Sequence, residues 1–294
     1  MQALSAAGLP AHPLRPHELA ACLAGPVERH PAVAWLRLAS GGPVDELAPL
    51  AGADDPRTSP RTRWINDVPS VRLAHDKAAA LARLAAAGLP VPPTRVVTRD
   101  DRGVLDRGAG RGGDAGRDDD AGGLRDAGAG FVVKPPRGAA GRGVTVGLPA
   151  AEALAAARAF AELTGAALVQ PVLGGGVDHR LVVADGRVLA AMRRRPPADD
   201  GRANLNTGGS GELFTPDAEQ TELALEATRC LGLDVAGVDL LVHDGRPLVL
   251  EVNSCPGVVG LEAATGQDLG AALARFVHEL AHAPVGGAPA APSM

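Results

Sequence analysis

Near the C-terminal end, Gly237-Val238-Asp239-Leu240-Leu241-Val242 is followed by Asp244-Gly245 and then by Leu248-Val249-Leu250-Glu251-Val252-Asn253. Both apolar runs read as strands, and the Asp-Gly between them reads as a hairpin turn. Residues two apart in a strand share a face, so Glu251 and Asn253 point together. Asp239 joins them in only one of two registers. A two-residue loop pairs 239 with 250 and sends Asp239 to the opposite face. An odd loop, such as His243-Asp244-Gly245, puts all three on one face. Two carboxylates and an amide oxygen are hard donors of the kind that hold magnesium beside a substrate phosphate. A solvated hairpin would also carry polar residues. However, Val238, Leu240, Leu250 and Val252 have the character of buried neighbours, and an unpaired acid among them would be costly.

Two further groups of residues could handle anions. Phe131-Val132-Val133-Lys134 ends an apolar run with a lysine, and Gly138, Gly141 and Gly143 follow. Such a lysine can hold a phosphate while N–H groups of the glycine loop close over it. Glycine accounts for 38 of 294 residues, about twice ordinary usage, so the loop has weight only through its flanks. Asp178-His179-Arg180, Arg193-Arg194-Arg195 and Arg202-Ala203-Asn204 supply guanidinium groups able to clamp phosphates or steady an oxyanion. At least one of the three consecutive arginines is expected on a solvated face. The histidines lack metal-ligand spacing. Ser254 and Cys255 have no evident base partner, which disfavours a covalent nucleophile.

These residues need elements to position them. Residues 1–66 alternate short pieces, with helices expected at 2–7, 17–24 and 44–50 and strands at 11–14 and 33–38. Residues 70–87 read as one amphipathic helix, capped by Ser70 and ended by Gly88. The prolines that follow force an extended exit into a strand at 95–98. Residues 99–130 hold ten glycines and eight aspartates. They cannot bury enough surface to offset their ordering entropy, so a flexible insertion is expected there rather than a calcium loop. Strands at 131–134 and 144–147 flank the glycine loop. A helix at 150–163, a strand at 167–173, a hairpin at 179–193, a helix at 216–231, the acidic hairpin at 235–252 and a terminal helix at 269–281 complete the pattern.

Composition narrows the class. Hydrophobic residues make up 46% of the chain but aromatics only 2%. The core must therefore be built from Ala, Val and Leu, which suits close helix–sheet packing in an α/β protein. The net charge of −5 and the scarcity of stacking aromatics argue against nucleic acid as a partner. Cys22, Cys230 and Cys255 form no Cys-x-x-Cys pair, so neither a disulfide framework nor a zinc knuckle is expected, and a reducing cytoplasm fits. The N-terminus lacks the pattern of a signal peptide, and no apolar run approaches the length of a membrane span.

The order of these motifs resembles the ATP-grasp superfamily, and within it the RimK-like α-L-glutamate ligases, over residues 66–279. Asn66-Asp67 with His75-Asp76-Lys77 is similar to the family's opening helix. Val133-Lys134-Pro135 is similar to its phosphate-contacting lysine, and Val169-Gln170-Pro171-Val172 to the hinge whose backbone holds adenine. Asp178-x-Arg180 resembles the segment after that hinge, and Arg202-Ala203-Asn204 the nucleotide-contacting triplet. Asp239, Glu251 and Asn253, within Glu-Val-Asn-Ser-Cys-Pro-Gly, match the metal triad in type and spacing. Three departures stand out. Pro171-Val172 replaces an acid and an aromatic, Thr207 stands where an arginine is usual, and the loop Gly174-Gly175-Gly176 is short.

The resemblance implies an α+β ATP-grasp fold: a partial Rossmann-like N-terminal domain (1–69), then two α+β subdomains (70–168 and 169–283) clasping ATP, and a flexible tail (284–294). It implies that Lys77, Lys134, Gly141 and Gly143 meet the phosphates, and that Gln170, Pro171 and Val172 meet the adenine. Asp178 would lie on the ribose side, and Arg202, Ala203 and Asn204 would contact the nucleotide. Asp239, Glu251 and Asn253 would hold magnesium, with manganese an acceptable substitute, and Arg180 or Arg194 would steady the tetrahedral oxyanion. The expected reaction is ATP-dependent joining of an amino-acid amine, glutamate or similar, to a carboxylate acceptor, either a small molecule or a protein C-terminus. The expected location is cytoplasmic, and a homo-oligomer is a possible assembly. Two alternatives carry weight: an ATP-grasp ligase of the lysine-pathway or small-peptide type, and an ATP-binding protein without ligase chemistry.

Overall fold

A computed structural model describes residues 2–37, 44–52, 62–101, 129–138, 141–197 and 209–283. Most of the 99–130 stretch, Arg202, Ala203, Asn204, Thr207 and the tail from 284 lie outside the described residues. The chain begins with α1 (Gln2–Ala6) and α2 (Pro16–Leu23), then β1 (Val33–Trp35), a 3₁₀ turn at Val44–Leu50 and β2 (Arg63–Ile65). β1 and β2 pair in parallel, with Trp35 opposite Ile65. The short strand expected at 11–14 does not form. Pro10 and Pro13 interrupt that segment, and proline removes the N–H a strand ladder needs.

The helix expected at 70–87 is in fact two, α3 (Val68–His75) and α4 (Lys77–Ala86). Asp76 has an extended backbone and breaks the run. Its side chain accepts from the Ala79 N–H at 3.1 Å and caps α4. The cap of α3 is Asp67, which accepts from the N–H of Ser70, so Ser70 is the capped residue and not the cap. The break puts Lys77 at the first position of α4, where its N–H donates to the Pro136 carbonyl at 2.9 Å.

A four-stranded antiparallel sheet follows, built from β3 (Arg95–Thr98), β4 (Phe131–Lys134), β5 (Thr145–Leu148) and β6 (Ala166–Pro171), in the order β3-β6-β4-β5. Helix α5 (Ala150–Thr164) covers one face, packing Ala153 and Ala157 on Phe131, Val133 and Val169. Lys134 alternates to the other face, opposite Leu168.

The larger sheet has five antiparallel strands in the order β11-β10-β7-β8-β9. These are β7 (Asp178–Ala184), β8 (Arg187–Arg195), β9 (Ser210–Leu213), β10 (Val235–His243) and β11 (Arg246–Asn253). Helices α4 and α6 (Ala218–Cys230) cover the face that carries Leu181, Val183, Val238 and Leu240. Helices α7 (Val258–Thr265) and α8 (Leu269–His282) cover part of the other face, over Val182, Met192 and Val235. Strands β2 and β9 and helix α7 have no counterpart in the sequence expectations. No helix among the described residues is long and apolar enough to cross a membrane.

Candidate active site

Both hairpins of the large sheet turn on Asp-Gly pairs with positive φ, Asp185-Gly186 (53° and 65°) and Asp244-Gly245 (49° and 77°). His243 pairs with Arg246, so the acidic hairpin has a two-residue loop. On the reading from sequence, that loop should have turned Asp239 away. It does not, because the register slips between Asp239 and Leu240, leaving Leu250 as an extra residue and pairing Asp239 with Glu251. A β-bulge therefore supplies the offset that an odd loop was expected to supply. The β7–β8 hairpin uses the same device. Its register slips between Val182 and Val183, bypasses Leu189, and pairs Asp178 with Arg194.

With both offsets in place, Glu251, Asp239, Arg180, Asp178 and Arg194 emerge on one face of four adjacent strands. Arg180 forks onto Asp239, donating from Nε and an NH group at 2.7 Å each. Arg194 forks onto Asp178 at 2.5 and 2.8 Å and reaches Asp239 at 2.9 Å. Burial opposes ionisation of Asp239, but Arg180 and Arg194 outweigh it and bring its pKa down to about 2. Burial pushes Asp178 up to about 6 against the pull of Arg194. Arg194 is 3% exposed at its side chain and is held firmly charged by the two acids. Arg193 and Arg195 lie on the solvated side and meet Glu212, as expected for part of that run. His179 faces away from Asp178, stacks on Phe214 and accepts from Arg193.

Two lysines reach this face from elsewhere. Lys77 Nζ donates to the Gly138 carbonyl at 2.6 Å and lies 3.1 Å from Glu251 Oε1, while its backbone N–H donates to the Pro136 carbonyl. It thus ties the glycine loop of the small sheet to the acidic hairpin of the large one. Lys134 is 5% exposed. Burial lowers its pKa to about 8, with Glu251 and Asp239 pulling the other way. Gly138, Gly141 and Gly143 have φ of 145°, 70° and 71°. A Cβ on Gly143 would also lie 3.3 Å from the Phe160 ring, so the loop's shape depends on glycine there.

The hinge residues sit at the end of β6. Gln170 is buried and donates to the Thr94 hydroxyl at 2.7 Å; the Val172 N–H donates to the Gly130 carbonyl at 2.9 Å. Pro171 pairs with Phe131. Asn253 makes no side-chain hydrogen bond among the described residues, and its Nδ2 is a buried donor without a partner. Its amide oxygen is therefore uncommitted. Two carboxylates and this oxygen are a donor set that fits a hard divalent ion.

A model of the RimK-like ATP-grasp domain matches residues 125–277, just over half the chain. The chain belongs to the RimK-like ATP-grasp family. Proteins named as probable alpha-L-glutamate ligases are similar to it. The one from Marinomonas sp. (strain MWYL1) is 32% identical over 75% of this chain and 68% of its own length. The one from Aliivibrio salmonicida (strain LFI1238) is 34% identical over 73% and 67%. In Parasynechococcus marenigrum (strain WH8102) the match is 42% identical but covers 48% of this chain and 31% of the relative. The chain thus spans about two thirds or less of the length of these relatives. Among solved ATP-grasp structures, D-cycloserine synthetase DcsG superposes with a TM-score of 0.64 at 21% identity, over 95% of this chain and 92% of that one. D-alanine–D-alanine ligase from Bacillus anthracis complexed with ATP gives 0.58 at 20% identity, over 85% and 79%. The RimK-like chain shares its fold with them.

The sequence reading left Asn66 without a role, naming it only as part of a helix start. It is fully buried and bonded to both strands of the acidic hairpin's open end. No local spacing announces such a contact, because its partners lie 168 to 188 residues away.

Proposed function

We propose that this chain is an ATP-dependent carboxylate–amine ligase that joins glutamate, or a similar amino acid, to a carboxylate acceptor. The observation that carries the reading is the meeting of Asp239 and Glu251 with Lys77, Lys134, Arg180 and Arg194 on one sheet face. Four cationic side chains against the three carboxylates Asp178, Asp239 and Glu251 leave a surplus of positive charge, which suits a polyphosphate. Chemistry of this kind needs positioning and charge neutralisation more than covalent help from the protein.

In this reading, Lys134 and Lys77 balance the phosphate oxygens and the N–H groups around Gly141 and Gly143 close over them. Asp239, Glu251 and Asn253 would hold a divalent ion, magnesium or manganese, which supplies Lewis-acid neutralisation between phosphates. The γ-phosphoryl group passes to a carboxylate oxygen of the acceptor and ADP departs. The amine nitrogen then attacks the acyl carbon, loses a proton, and inorganic phosphate leaves. Arg194 spends its Nε and one NH group on its two acids and, at 3% exposure, is too buried to reach a substrate, so it serves to hold Asp178 and Asp239 in place. Arg180, with its Nε and one NH group on Asp239, keeps its other NH group for the oxyanion. Burial strengthens each of these interactions by excluding water. The preference for glutamate follows the names of the relatives at 32–34% identity.

The test is a screen of ADP release across amino acids and carboxylate acceptors, with mass spectrometry of the products and Glu251→Gln as the control. Release that requires both substrates and vanishes in the variant supports the ligase. MgATP binding with no ADP formed on any pair would make the chain a nucleotide-binding protein without ligase chemistry.

A further inference from the structure

Asn66 lies between β2 and α3 with φ 59°, a left-handed conformation that asparagine tolerates better than most residues. Its side chain is saturated. Oδ1 accepts from the N–H groups of Asp234 at 2.8 Å and Val235 at 3.0 Å, and Nδ2 donates to the carbonyls of Val235 and Ser254 at 2.7 Å each. Its own N–H donates to Asp234 Oδ2 at 2.9 Å. Val235 opens β10, and Ser254 directly follows Asn253 at the end of β11, beyond the last ladder pair Gly237–Asn253. The amide thus continues the β10–β11 ladder by side chain where the backbone ladder stops. The loop after Ser254 is pinned a second time, because Gly237 lacks a Cβ and Pro256 packs into that space, 3.0 Å from where one would stand.

We propose that Asn66 is a positioning residue for the metal end of the site: by fixing the Ser254 carbonyl it sets the aim of Asn253. The inference rests on the reading of Asp239, Glu251 and Asn253 as metal ligands. Only a primary amide satisfies two donors and two acceptors at this reach. Aspartate lacks the donors, and glutamine is one methylene too long.

The experiment measures Mn²⁺ affinity in the presence of a non-hydrolysable ATP analogue, by electron paramagnetic resonance, and analogue affinity without metal, by calorimetry. The first variant is Asn66→Gly, which suits the positive φ and removes only the side chain. Val277→Ala, in the core of α8, provides a control that loses packing away from the site. The inference expects Mn²⁺ affinity at least tenfold weaker in Asn66→Gly, with analogue affinity within about twofold and the control unchanged. Equal Mn²⁺ affinity in Asn66→Gly and the wild type would overturn it and leave the ligand reading standing. If the wild type itself binds no Mn²⁺ with the analogue, both fall. Should Asn66→Gly fail to fold, hydrogen exchange in the wild type decides. Linkage requires that metal and analogue together slow exchange of the Asp234 and Val235 amides beyond the analogue alone, and no added protection would overturn the inference.

Discussion

Lys134 carries a charge that the site can lose within an accessible pH range. Burial lowers its pKa to about 8, so it is an ammonium below that pH and increasingly neutral above it. Because kcat/KM reports the free enzyme, kcat/KM for ATP should fall as pH rises through about 8. In Lys134→Arg, whose guanidinium stays charged, the plateau should extend to about pH 9 or beyond. An unchanged alkaline limb in that variant would assign the titration to another group. Asp239 behaves in the opposite sense. Its folded pKa is depressed to about 2 from the usual 3.8, so the stability it contributes is present above pH 3.8 and lost as pH falls through about 2. Replacing it strands Arg180 and takes one of the two acids from Arg194. Asp239→Asn should cost about 3 kcal/mol of stability in a denaturant titration. Glu251→Gln should cost less than about 1 kcal/mol, since Glu251 is partly exposed and has one ammonium partner. Glu251 is therefore the cleaner position for separating chemistry from folding.

At the scale of elements, the extra residues Leu189 and Leu250 decide which side chains meet. Removing Leu250 leaves Val249 opposite Leu240 and Glu251 opposite Asp239 in a regular ladder, so the deletion should keep measurable ADP release. Removing Gly245 breaks the two-residue turn and should abolish it, with loss of folded protein seen by circular dichroism; equal outcomes for the two deletions would contradict the register. The strands of the two hairpins, the Asp-Gly turn of the acidic one and the shared face of Glu251 and Asn253 were legible in the sequence, since period-two alternation and turn chemistry are local. The bulges were not. A bulge changes the pairing by one residue without altering composition, and leucine at 189 and 250 looks like any strand residue. The break at Asp76 was missed for a related reason, because the apolar stripe of 70–87 continues across it. Only the capping bond that the Ala79 N–H donates to Asp76 shows where the chain turns.

For the molecule as a whole, two side chains tie distant segments to the acidic hairpin: Asn66 holds its open end, and Lys77 reaches both the glycine loop and Glu251. The Lys77 link bears on how the site fills. Its ammonium and its neighbours already offset Asp239 and Glu251, so a divalent ion arriving alone would meet cations and gain little. Mn²⁺ without nucleotide should bind at least tenfold more weakly than with an ATP analogue, and Lys77→Ala should narrow that gap; a gap of the same size in the variant would show that Lys77 plays no such part. A pocket guarded by its own tethered counterion is spared occupation by stray metal from its surroundings. Cargo that brings compensating negative charge of its own is what frees the carboxylates to accept an ion.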